Sequence, residues 1–207
     1  MLTTVPSIPM GSVGGPAAVL LTGGSSTRLG TDKAALVVDG ETLAQRLVRV
    51  LRDAGCDPVV EVGPGYADAA VVREDPPGAG PLAAVARAHE ELRSRGVTGD
   101  AIVLAVDLPN VEAPLVRWLA EQPPGAAVVP MVAGRAQPLC ARYAATTLDT
   151  ARALVDQGER SMRTLLDRVE VTYVDETAWG GVCAAGAFLD VDTPDDAARA
   201  GIETGRQ

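Results

Sequence analysis

The sequence predicts an α/β protein: a three-layer αβα sandwich whose helices cover both faces of a Rossmann-like, mostly parallel sheet. Three observations carry this. Short apolar runs without polar alternation, such as "AAVLLT" (17–22) and "DAIVLAVD" (100–107), read as strands buried on both faces. Amphipathic segments of helical period separate the runs, and repetition of strand then helix implies parallel pairing. Aromatic residues make up only 3% of the chain against 47% hydrophobic. The core is therefore built from Ala, Val and Leu, side chains that fill helix-on-sheet layers.

The elements follow in order. After the first strand, "ETLAQRLVRVLRDAG" (41–55) is a helix with Leu43, Leu47, Val50 and Leu51 on one face and Gly55 at its stop. "PVVEV" (58–62) is a second strand, and "AAVVRED" (69–75) begins another. "GPLAAVARAHEELRSRG" (80–96) is a helix with Pro81 in its first turn and Gly96 past its end. The strand at 100–107 precedes a short helix at 111–122, capped by Asn110. "AAVVPMV" (126–132) and "QPLCARY" (137–143) are strands flanking a turn at Gly134. Helices at 145–157 and 161–169 come next, then strands at 171–175 and 187–192. A terminal helix at 193–200 starts on a Thr193/Asp196 capping box. Residues 1–16 form a loose arm, 17–202 one domain, and 203–207 a tail.

The bulk numbers exclude several classes. A net charge of −9 argues against general nucleic-acid binding, yet leaves room for a small phosphorylated ligand held by local cations. Cys56, Cys140 and Cys183 are odd in number and far apart, and His89 is the single histidine. Neither a zinc site nor a disulfide framework is expected, and the pattern suits a reducing cytoplasm. The first residues lack the basic start and apolar core of a signal peptide, and no apolar run approaches a membrane span.

In folds of this kind ligands bind outside the carboxyl ends of the strands. The first strand is followed by Thr22-Gly23-Gly24-Ser25-Ser26-Thr27-Arg28-Leu29-Gly30, with Asp32-Lys33 shortly after. Glycines let a backbone turn bring N–H groups close to an anion, and Arg28 and Lys33 add positive charge. The stretch is neither G-x-G-x-x-G nor G-x-x-x-x-G-K-[ST], so from the residues alone a phosphate loop and a plain Gly/Ser turn stand level. Asp107, ending the strongest strand, suits Mg²⁺ or a turn before Pro109. Asp190 and Asp192 project on alternate sides of a strand end, and either could join it. Asp75 is a loop carboxylate. Arg160 and Arg163, near a helix start, suit either contact with a substrate phosphate or plain surface placement, and each alone reads as a surface cation. His89 shares a helical face with Leu82, Val85 and Leu92, which suits packing, as does the placing of Trp118 and Trp179.

"LTGGSSTRLGTDKAAL" (21–36) resembles the nucleotide-binding signature L-A-G-G-x-S-x-R-M-G-x-D-K of the molybdenum cofactor guanylyltransferases. The resemblance continues through "REDPPGAGPLAAV" (73–85), "AVDLPNV" (105–111), "GRAQPLCARY" (134–143), "GERSMRTLL" (158–166) and "DVDTPDD" (190–196). It implies a fold of the nucleotide-diphospho-sugar transferase type, GTP and molybdopterin as substrates, and Mg²⁺ as cofactor. It implies catalytic roles for Arg28, Lys33 and Asp107, and a nucleotide site of Leu21, Thr22, Gly23, Gly24, Ser25, Lys33, Asp75, Gly80 and Asp107. Asp75 would meet the guanine, and Asp107 with Asp192 would hold the metal. It further implies a cytoplasmic monomer or weak homo-oligomer in transient contact with other cofactor-assembly proteins.

The chain departs from the family pattern at Thr22 (usually Ala), Leu29 (usually Met) and Val106 (usually Cys). "VGPGYAD" (62–68) lacks an Asn often found there, and Asp190 and Asp192 stand where Asn is usual. The last two are shared with cytidylyltransferase relatives. Transfer of CMP, another small phosphorylated acceptor, and a non-catalytic nucleotide-binding protein on the same fold are the competing readings.

Overall fold

The structure, a computed structural model, describes residues 15–23 and 32–191 together with 193, 196 and 202. Ten strands and six α-helices alternate along the described residues. Strand β1 is Ala17–Leu21, followed by a 3₁₀ turn at Lys33–Ala35 and a hairpin of β2 (Val37–Val38) and β3 (Glu41–Thr42). Then come α1 (Leu43–Asp53), β4 (Val59–Val62), β5 (Ala70–Val72), α2 (Pro81–Ser94), β6 (Ala101–Ala105) and α3 (Ala113–Ala120). The last part holds β7 (Ala127–Val132), β8 (Arg135–Ala136), β9 (Cys140–Tyr143), α4 (Ala145–Asp156), α5 (Met162–Leu166), β10 (Val171–Val174) and α6 (Glu176–Trp179).

The main sheet has the order β10-β7-β9-β6-β1-β4-β5, with β8 paired to β7. β5, β4, β1 and β6 are mutually parallel, as are β10 and β7. β9 runs against both of its neighbours. The pleat sorts β1 onto two cores. Ala18 and Leu20 join α1 and α3 on one face. Ala17, Val19 and Leu21 join α2, α4 and α5 on the other. This is the expected three-layer sandwich with a mostly parallel sheet.

Four local details differ from the sequence reading. Helix α1 starts at Leu43 because Glu41 and Thr42 pair with Val38 and Val37. The turn between them is Asp39-Gly40, with φ of 51° and 85°, the two-residue geometry that Asp-Gly favours. Thr42 then caps α1 in a reciprocal box with Gln45. Asn110 does not cap α3, whose first turn holds Pro114 and whose cap position is Glu112. Its amide instead donates to the Gly186 carbonyl at 3.3 Å.

The expected strand at 187–192 is absent from the described residues, and a 3₁₀ turn occupies Ala185–Phe188. Ala187 and Phe188 are both buried in succession, which a turn permits and an edge strand does not. Phe188 packs on Trp179 of α6, a helix the sequence did not suggest, with ring centroids 5.0 Å apart. The Thr193/Asp196 capping box forms as expected, the two backbone–side-chain bonds measuring 3.0 and 3.2 Å. Most of the anticipated helix beyond it lies outside the described residues.

Polar groups buried away from the strand ends serve packing. His89, 5% exposed, is bonded through Nε2 to Asp149 Oδ1 at 2.7 Å, tying α2 to α4. Arg142 of β9, 4% exposed, donates to the carbonyls of Gln122 and Pro123 at 2.9 and 2.6 Å, with Asp100 3.3 Å away. Arg142→Met would leave two carbonyls and a carboxylate without their donor. We expect it to lower stability by about 2–3 kcal/mol in urea denaturation, with activity per folded molecule retained.

Candidate active site at the carboxyl ends of β1 and β6

β1 and β6 pair in register, Leu21 opposite Ala105. Gly23 and Asp107 thus each lie two residues past the last paired position, at one edge of the sheet. Main-chain bonds hold the edge closed. Val106 N–H donates to Leu21 O at 3.0 Å, and the N–H groups of Thr22 and Gly23 both donate to Val62 O at 3.0 Å. Val191 N–H donates to Asp107 O at 2.9 Å, bringing the chain beside Asp190 to the same turn. Asp192 itself lies outside the described residues, as do Gly24, Ser25 and Arg28.

Lys33 opens the 3₁₀ turn that follows the loop. Asp32 caps that turn, its Oδ1 accepting from Ala34 N–H at 3.1 Å. The Asp-Lys pair is therefore a cap followed by the cation it positions.

Beside Gly23 opens a cleft of about 310 Å³, whose walls include Val62, Gly63, Arg73, Glu74 and Gly78. Asp75 is exposed and is not among the lining residues; its neighbours Arg73 and Glu74 are. Glu74 Oε2 accepts from Ala79 N–H at 3.0 Å, which folds 75–79 into a closed turn. Gly80 has φ of 99°, and a Cβ there would sit 3.2 Å from Arg160 O. The positive φ and the Arg160 carbonyl together call for glycine here, and Arg160 also donates through Nη1 to Ala79 O at 3.1 Å. Arg160 is exposed, as the sequence suggested, and also braces this loop.

The feature that sequence reasoning missed is Glu61. It is 0% exposed on the buried strand β4. Its Oε1 accepts from the Thr22 hydroxyl at 2.8 Å and from the N–H groups of Gly65 and Tyr66, each at 3.0 Å. Its Oε2 accepts from Ala67 N–H at 3.0 Å. Gly63 is compressed against this contact, since a Cβ there would lie 2.2 Å from Thr22 Oγ1. The available signal was a lone carboxylate inside an apolar parallel strand, "VVEV".

Asp107 is half-buried and stands near the Cys140 thiol. Burial pushes that thiol up to about 12, so it is not a thiolate ligand at neutral pH. No cluster of three or more His, Cys, Asp or Glu able to hold a metal occurs among the described residues. A carboxylate is a hard oxygen donor, which suits a hard cation whose remaining ligands are phosphates and water, and fits Mg²⁺ better than zinc. No helix of the described residues is long and apolar enough to cross a membrane.

A mostly parallel sheet with helices on both faces, opening at the ends of β1 and β6, is an architecture suited to an NTP transferase. A family model described as "MobA-like NTP transferase domain" matches residues 18–172. The chain belongs to that family. A protein of Opitutus terrae named "Probable molybdenum cofactor guanylyltransferase" is 42% identical over 156 residues, covering 71% of this chain and 75% of that one. The crystal structure of molybdopterin-guanine dinucleotide biosynthesis protein A from Archaeoglobus fulgidus superposes with a TM-score of 0.74 at 24% identity, over 89% of this chain and 96% of that one. A Mycobacterium tuberculosis protein crystallised as a complex with manganese has a TM-score of 0.61 at 22% identity, over 89% and 97% of the two chains.

Proposed function

We propose that the protein transfers GMP from GTP to the terminal phosphate of molybdopterin, releasing pyrophosphate. The observation that carries this is the 42% identity to a relative of that name, together with the meeting of Gly23 and Asp107 at one sheet edge. An oxygen of the acceptor phosphate forms a bond to the α-phosphorus of GTP. The bond from that phosphorus to the oxygen bridging it to the β-phosphate breaks, and pyrophosphate carries the electron pair away. The acceptor phosphate is its own nucleophile, so no Ser, Cys or His nucleophile is needed.

The protein's part is alignment and charge neutralisation. Leu21, Thr22 and Gly23, with Gly24 and Ser25, bring backbone to the nucleotide phosphates. Arg28 and Lys33 offset the charge that grows toward pyrophosphate. Asp75 accepts from the paired N–H donors of guanine, and Gly80 lets the turn before α2 come close. Asp107 and Asp192 would hold a divalent cation, Mg²⁺ in this reading; the Val191–Asp107 bond supports Asp192 as the second ligand. When bound, the cation supplies charge neutralisation at the α-phosphate. The enzyme would work in the cytoplasm as a monomer or weak homo-oligomer, in transient contact with other cofactor-assembly proteins.

One observation favours a second reading. Asp190 and Asp192, where related guanylyltransferases usually carry Asn, lean toward CMP transfer from CTP. The test is pyrophosphate release from GTP, CTP, ATP and UTP with Mg²⁺ and molybdenum-loaded molybdopterin. Release from GTP alone is expected. Release from CTP would keep the mechanism and change the base. Nucleotide binding without release from any of them would sink the enzymatic reading for this acceptor.

A further inference from the structure

We propose that Glu61 and Tyr66 form a positioning brace that fixes both ends of the nucleotide loop before the nucleotide arrives; the effect on catalysis rests on the function proposed above. At the start of the loop, the Thr22 hydroxyl donates to Glu61 Oε1 at 2.8 Å. At its end, Asp32 Oδ2 accepts from the Tyr66 hydroxyl at 3.2 Å, while Asp32 Oδ1 caps the turn that begins with Lys33. The link between the two ends is short, because Glu61 Oε1 also accepts from Tyr66 N–H at 3.0 Å. A continuous path Thr22–Glu61–Tyr66–Asp32 therefore joins the residues that flank 24–31 without passing through them.

The chemistry of Glu61 argues for more than local folding. A carboxylate that is 0% exposed is costly to bury, and its compensation comes from donors on two segments. Three are the N–H groups of Gly65, Tyr66 and Ala67, which would suffice to shape that turn. The fourth, the Thr22 hydroxyl, adds nothing to the turn and couples it to the loop. Such a brace sets the separation between the Gly23 backbone and Lys33. Fixing the positions of Thr22 and Asp32 in advance spares the nucleotide the cost of fixing them, so the brace acts on binding more than on the chemical step.

The test uses the full chain with Tyr66→Phe, which removes one hydroxyl. Glu61→Gln keeps the size but turns an N–H₂ toward Ala67 N–H or the loop. Hydrogen exchange needs no turnover. Both Tyr66→Phe and Glu61→Gln should speed exchange at the amides of Ala34 and Ala35 by about tenfold. In pyrophosphate release, KM for GTP should rise about tenfold with kcat changed less than about threefold. The double variant should be no worse than the worse single one, since both break one path. Unchanged exchange at Ala34 and Ala35, or an unchanged KM in a folded active enzyme, overturns the brace. If the wild-type protein turns over no nucleotide, the proposed reaction fails while exchange still decides the brace.

Discussion

Asp107→Ala is expected to lower GMP transfer by at least about 10³-fold, close to 4 kcal/mol of transition-state stabilisation. The loss follows from its place. Asp107 ends the turn after β6, at the edge where Gly23 lies two residues past β1, and no cluster of three metal-binding side chains among the described residues could take over. The fold should survive. The contacts that close this edge are main-chain bonds of Val106 and Val191, which the substitution leaves in place. Asp107→Asn, which keeps shape but not charge, should be nearly as inactive, with Tm within a few degrees of wild type. Substantial metal-dependent turnover in either variant would remove Asp107 from the site.

Lys33→Ala is expected to reduce kcat/KM for GTP by about 10²-fold through loss of one cation at the triphosphate. Asp32 would still cap the turn through Ala34 N–H, so the backbone at 33–35 should persist. Lys33→Arg should recover part of the loss, because the charge returns on a wider, planar group. Raising the salt concentration should weaken GTP binding more in wild type than in Lys33→Ala, since screening acts on the charge removed. Kinetics identical to wild type would make the loop a structural turn.

How much of this was legible in the sequence depends on the range of the interaction. β1 and β6 were plain as unbroken apolar runs, and α1 and α2 as helical faces with Gly55 and Gly96 at their ends. Those signals are local and repeat within each element. The Lys33 and Asp107 positions followed from a short motif and a strand end. What escaped was set by contacts across long sequence separations. Phe188 turns inward to meet Trp179, so the apolar run at 187–191 pairs with no strand. Arg160 is the surface cation it looks like, but its partner, the Ala79 carbonyl, lies 81 residues away. Glu61 looks like a misplaced charge until Thr22 and the 65–67 turn surround it. The Asp39-Gly40 hairpin is the exception, a local signal hidden inside the approach to a helix.

The collision between a Cβ at position 63 and the Thr22 hydroxyl, 2.2 Å apart, also constrains the order in which this lineage can change. No side chain can enter at 63 while threonine stands at 22. Alanine at 22 would remove the hydroxyl that donates to Glu61, yet a Cβ at 63 would still stand 2.9 Å from Gly23 N and 3.0 Å from the main-chain carbon of residue 22. A neutral residue at 61 introduced first would free the turn at 65–67. Position 63 is therefore held to glycine by main-chain atoms as well as by the Thr22 hydroxyl, and a change at 22 or 61 alone does not release it.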